Sequence, residues 1–143
     1  MNTTSAATAV AVVFLWLGMV LAISFLEAPL KFRAPGVTIP IGLGIGRMVF
    51  RALNLVEAVL AAAVVASVAV GGSPSAAVVV LTVAVAVLLA VQLGVVRPRL
   101  NRRSDRVLAG EELPRSRGHV YYVAFEIAKV IALTTLGISL LAR

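Results

Sequence analysis

The sequence has no cysteine, a single histidine and only six acidic residues. Without cysteine there is no disulfide, no thiolate nucleophile and no cysteine-based metal site. Charge is scarce altogether: Asp, Glu, Lys and Arg make up 13% of 143 residues, against roughly a quarter in soluble globular proteins. Apolar residues reach 61% and mean hydropathy is +1.06, which excludes a water-soluble globule, a disordered chain and a fibrous repeat. Aromatic residues are few and are not interleaved with the basic clusters. No platform for stacking bases exists, so no nucleic-acid partner is expected.

What is present is a set of long uncharged runs, and a spanning helix needs about 20 predominantly apolar residues. The first runs from about Ala6 to Leu30, with Glu27 near its end. No Lys or Arg precedes it and it is longer than a signal core, so it reads as a span and not as a cleaved signal. The run Ala58–Val96 is too long for one helix and is divided by the turn-forming Gly71-Gly72-Ser73-Pro74-Ser75. Its first part reaches full length only by starting near Arg51 or earlier, which forces Glu57 into the second span. The last run, Val130–Ala142, is likewise too short without His119–Lys129, which brings Glu126 and Lys129 into the fourth span. The expected architecture is an all-α, four-transmembrane-helix bundle in one domain, residues 1-143. Its spans are about 6-30, 46-70, 76-96 and 119-141, with basic loops 31-45 and 97-118.

The cations orient the bundle. Lys31, Arg33, Arg47 and Arg51 flank the first connection, and Arg97, Arg99, Arg102, Arg103, Arg106, Arg115 and Arg117 fill the third, whereas the middle connection has no charge. By the positive-inside rule the basic loops face the cytoplasm and both termini lie outside. The expected location is the bacterial cytoplasmic (inner) membrane, as a multi-pass protein. Membrane lipids, including anionic headgroups, are expected partners of the arginines. A short amphipathic helix on the membrane surface is compatible with the loop 97-118.

Ionisable residues inside spans are costly, about 2.5–3.5 kcal/mol each at the centre, and mark paired contacts or function. Counting about 1.5 Å per residue, Glu27, Asn54, Glu57, Gln92, Tyr122, Glu126 and Lys129 all fall in the cytoplasmic half. His119, Tyr122, Glu126 and Lys129 follow helical spacing along one face. Phe50, Asn54 and Glu57 share a face of the second span, flanked by Arg47 and Arg51. If these stripes face inward they enclose a polar pocket open to the cytoplasm, beneath an outer half of Ala, Val, Leu and small hydroxyls. The candidate ligand-binding set is Glu27, Arg47, Arg51, Asn54, Glu57, Gln92, His119, Tyr122, Glu126 and Lys129. The structural alternative pairs Glu126 with Lys129 or His119, and Glu57 with Arg47 or Arg51. No metal is expected, because seven residues put His119 and Glu126 about 10 Å apart along the helix. No cofactor or catalytic residue is identifiable. Gly42, Gly44 and Gly46 suit close helix approach or a turn. Trp16 reads as lipid-facing or packing, and Phe25, Phe32 and Phe50 as interface anchors.

The stretches Phe25-Leu-Glu-Ala-Pro-Leu-Lys-Phe-Arg-Ala-Pro-Gly36 and Gly46-Arg-Met-Val-Phe-Arg-Ala-Leu-Asn-Leu-Val-Glu57, together with Arg97-Pro-Arg-Leu-Asn-Arg-Arg-Ser-Asp105 and the fourth-span polar stripe, resemble a family of uncharacterised small bacterial four-helix membrane proteins. That resemblance implies a shared fold and no particular activity. Arg51, Ala52, Asn54 and Glu57 are also similar to a second-helix motif of the membrane-associated eicosanoid and glutathione metabolism superfamily, with one residue instead of two between Ala and Asn. That resemblance implies a thiol-tripeptide pocket near the membrane surface.

The sequence therefore predicts a small integral membrane protein whose cytoplasm-facing pocket binds a small anion, a lipid headgroup or a partner helix. A homo-oligomer or a place in a larger membrane complex fits that reading. Two alternatives use the same residues, a membrane-embedded thiol or lipid transferase and a proton-coupled small-solute transporter.

Overall fold

A computed structural model describes residues 1–113 and 118–142. The described residues are all-α and form four helices: α1 (Thr3–Lys31), α2 (Ile39–Val70), α3 (Ala76–Leu108) and α4 (Gly118–Leu141). Each is long and apolar enough to cross a membrane. Helix starts follow their caps: the side chains of Asn2, Thr38 and Ser75 accept hydrogen bonds from the backbone N–H groups of Ser5, Ile41 and Val78, satisfying donors a helix leaves orphaned. Pro40 occupies the first turn of α2, where its missing N–H costs nothing. Gly72, at φ +96°, turns the chain between α2 and α3.

The helices pack in sequence order around a square, α1 against α2 and α4, and α3 against α4, with a thinner α2–α3 seam. At one end the core is apolar, built from Ala9, Val13, Val64, Val68, Val78, Val85, Leu136 and Leu140. Asn2 N–H donates to the Gly71 carbonyl there at 2.6 Å, joining the start of α1 to the α2–α3 turn. The basic residues gather at the other end.

Two boundaries differ from the sequence reading. α2 begins at Ile39, so the connection before it is short. α3 continues to Leu108, so much of the basic segment expected as a loop prolongs the third span. Arg115, Arg117 and Arg143 lie outside the described residues.

α1 and α3 share a further feature. Leu21–Glu27 and Gln92–Val96 are π-helical, with the N–H of Ala28 donating to Ile23 and that of Arg97 to Gln92. In each case a proline follows closely, Pro29 and Pro98. A proline ring crowds the carbonyl four residues earlier and offers it no N–H. Those carbonyls belong to Phe25 and Gly94, both inside the π segments, and widening the helix relieves the contact.

Candidate functional site

The buried seam of α2 runs Gly42, Gly46, Phe50, Leu53, Glu57, Leu60, Val64 and Val68, and that of α4 includes Tyr122, Glu126, Lys129 and Leu133. These seams carry a carboxylate from α2, and a carboxylate and an ammonium from α4, to one level near mid-length of α4. Lys129 is 0% exposed, Glu57 and Glu126 1% each, and Gln92 3%. Three oxygens surround Lys129 Nζ: Glu57 Oε2 at 2.6 Å, Gln92 Oε1 at 2.7 Å and Glu126 Oε1 at 2.7 Å. That number matches the three N–H bonds of an ammonium. Gln92 Nε2 donates to Glu126 Oε1, and Ser24 Oγ donates to Glu126 Oε2, both at 2.5 Å. Trp16 Nε1 donates to Glu57 Oε2 at 2.8 Å. All four helices contribute, and the two π segments deliver Ser24 and Gln92.

Isolated charges in such surroundings would cost many kcal/mol, and mutual pairing is what makes them tolerable. One atom stands outside the network: Glu57 Oε1 is buried without a hydrogen-bond partner. The pairing differs from the one the sequence suggested for Glu57. Arg51 is exposed, and Arg47 turns instead to Asp105 of α3, because both arginines flank the α2 seam and do not lie in it. Glu126 does pair with Lys129. Trp16 packs inside the bundle, 1% exposed, with its indole N–H in the network.

Toward the basic end a cavity of about 470 Å³ opens beside the network, with Glu126 and Ser24 in its wall. Such a volume lies within the roughly 300–1,000 Å³ of small-molecule sites. Phe50 and Tyr122 meet edge to face at 5.5 Å, and the Arg97 guanidinium carbon sits 4.5 Å from each ring centroid. Lys31 Nζ lies 5.4 Å from the Phe50 centroid and 5.5 Å from that of Phe32. Glycine makes room for that fold-back: a Cβ at Gly42 would overlap the Phe32 ring, and one at Gly46 would stand 3.0 Å from Lys31 Nζ. Arg97 has no acidic partner among the described residues, and its Nε and Nη2 make no hydrogen bond. The Tyr122 hydroxyl, on a residue only 6% exposed, also lacks one.

The ten sequence-expected residues thus separate. Glu57, Gln92, Glu126 and Lys129 form the buried network. Arg47, His119, Tyr122 and Glu126 line the cavity. Glu27 stands 3.6 Å from Lys31 at the end of α1, and Arg51 and Asn54 line neither. Sequence reasoning left out Trp16, Ser24, Lys31 and Arg97. Phe50, expected at the interface, is instead buried, with both Arg97 and Lys31 against its ring. A second cavity, about 530 Å³, lies outside the bundle between α3 and α4, with Val95, Arg99, Arg103, Tyr121 and Phe125 in its wall.

Comparison with protein-family models, with curated proteins and with solved structures finds no match to this chain.

Proposed function

We propose that this is a multi-pass protein of a bacterial cytoplasmic membrane, with both termini outside, whose cavity at the cytoplasmic, basic end binds an anion or anionic headgroup. The observation that carries the reading is Arg97: a cation wedged between two aromatic rings, without a carboxylate, beside a cavity. Cation–π contact with two rings offsets part of its desolvation, about 0.5–2 kcal/mol per ring, and leaves its charge without a counter-ion, which an oxyanion in the cavity supplies. Lys31, Arg47 and His119 line the same wall, Lys31 beside Glu27 and Arg47 beside Asp105. Glu126 is turned toward the buried network, where Lys129, Gln92 and Ser24 hold its oxygens.

The transferase alternative draws less support, since Arg51 and Asn54, which carried the resemblance to glutathione-metabolising enzymes, do not line the cavity. A proton-coupled carrier would use Glu126, which touches both the cavity and the Lys129–Glu57 pair. Against it, the core beyond Trp16 and Glu57 toward the far end is Val13, Val64, Val68, Leu136 and Leu140, and the hydroxyl buried there, that of Thr82, donates to the Val78 carbonyl of its own helix. No ionisable side chain among the described residues continues the path.

The test is a thermal-shift titration of the purified protein with inorganic phosphate, glycerol 3-phosphate and phosphatidate at low ionic strength. Stabilisation that saturates with ligand, as linkage requires, and that vanishes in Arg97→Gln supports the reading. No Arg97-dependent shift with any of the three overturns it.

A further inference from the structure

Resting on that anion-binding reading, we infer that the occupant is a single-chain amphiphile with a phosphomonoester headgroup, held by its phosphate at Arg97 and by its hydrocarbon chain along the aromatic rim between α1 and α2. Phe25, Ala28, Pro29, Phe32 and Leu43 make the α1–α2 side of the cavity largely apolar, with Ser24, Lys31 and Arg47 among them, and Arg97 and Tyr122 line the α3–α4 side. A free inorganic or sugar phosphate would leave that apolar wall uncovered and would itself need donors on every face.

The rim has the surface such a chain requires. Phe25 and Phe32 are 40% and 43% exposed, and Gly42 lets the Phe32 ring lie directly against α2. Lys31 sits at the boundary, its ammonium between the Phe32 and Phe50 rings and its side chain 9% exposed. A headgroup seated at Arg97 therefore has a second cation at hand while the chain passes the rings. The wall favours phosphate over carboxylate. Arg97 stands in it without a carboxylate partner among the described residues, and Lys31 and Arg47 share it while paired with Glu27 and Asp105. A phosphate, with three terminal oxygens, can engage Arg97 and a second cation together, where a carboxylate has only two oxygens to offer.

The experiment reconstitutes the full chain in phosphatidylcholine nanodiscs and compares oleoyl-lysophosphatidate, glycerol 3-phosphate and inorganic phosphate by native mass spectrometry and equilibrium binding. Lysophosphatidate is expected at one per chain and about 100-fold tighter than glycerol 3-phosphate, the gain from burying about three or four methylene groups. Phe32→Ala is expected to weaken lysophosphatidate at least about 10-fold while leaving glycerol 3-phosphate unchanged, and Arg97→Gln to weaken both. Ala28→Phe, which fills the cavity from α1, is expected to exclude the lipid, with retained helicity and thermal midpoint checking the fold of each variant. Equal, Arg97-dependent affinities for lysophosphatidate and glycerol 3-phosphate would overturn this inference and leave the anion site standing. Lysophosphatidate uptake indifferent to Phe32, Ala28 and Arg97 would be bulk partitioning and would overturn it too. Loss of Arg97-dependent binding for every probe would remove both readings.

Discussion

Lys129 of α4 and Glu57 of α2 meet at 2.6 Å although they stand 72 positions apart in the chain. Neither side chain is accessible, so the pair draws on the protein alone for compensation. Removing one partner of such a pair leaves a buried charge exposed to its own desolvation cost, about 3–5 kcal/mol. Lys129→Met is expected to lose that much stability, measured as a lowered midpoint in thermal unfolding followed by circular dichroism. The triple variant Glu57→Gln, Glu126→Gln, Lys129→Met, with no charge left in the network, is expected to recover at least half of the loss.

Trp16 is the only tryptophan, and its N–H contacts Glu57. Its fluorescence therefore reports on the network without a label. Glu57→Gln is expected to shift the emission maximum, whereas Arg51→Gln, on the exposed flank of α2, is not. Trp16→Phe is expected to cost about 1.5–3 kcal/mol, the range for hydrogen bonds to charged groups, before any packing loss.

Arg97→Lys retains charge but loses the planar group that lies between Phe50 and Tyr122. Arginine and lysine are not equivalent at a stacked site. The variant is expected to lose about 1–2 kcal/mol of stability and to bind anions about 10-fold more weakly, read in the same unfolding and binding assays.

Gly42 and Gly44 are two residues apart on α2 and face different surroundings. A Cβ at Gly44 meets nothing within 4 Å, so Gly44→Ala is expected to stabilise the protein by about 0.5–1 kcal/mol through helix propensity. Gly42→Ala must displace the Phe32 ring, and overpacking of that kind costs about 1–3 kcal/mol. Thermal midpoints that move in opposite directions are the expected result.

Arg47 and Asp105 join α2 to α3 at the basic end, where their side chains are 38% and 59% exposed. Exposed pairs contribute about 0–1 kcal/mol and are screened by salt. Asp105→Asn is accordingly expected to change stability by less than about 1 kcal/mol, and the change should disappear at about 1 M salt.

The four helices were legible because hydrophobic length is a strong signal and the Gly71–Ser75 turn divides the longest run. The polar face of α4 was legible too: an uninterrupted α-helix keeps Tyr122, Glu126 and Lys129 aligned, and all three are buried. The partners were harder to read. In α1, and in α3 before Arg97, nearly every side chain is apolar, so no periodic contrast identifies the inward face, and Trp16 and Ser24 carry no mark of their destination. Arg97 reads as one cation among many, since its stack requires Phe50 and Tyr122 from two other helices. Charge counting likewise put Arg47 and Arg51 near Glu57, whereas both lie on one flank of the buried seam of α2.

The π segments also bear on how this chain tolerates changes in length. An i→i+5 turn holds one residue more than an α turn, so Leu21–Glu27 and Gln92–Val96 each carry surplus backbone. Deleting a single residue there keeps both flanks in place, at the cost of bringing the proline ring back against the carbonyl four residues earlier. The same deletion in α4 rotates everything beyond it by about 100° and pulls Lys129 away from the oxygens around it. A one-residue deletion just before Pro29 or Pro98 is thus expected to spare the network when the proline is replaced with it, while the stretch from Tyr122 to Lys129 must keep its length.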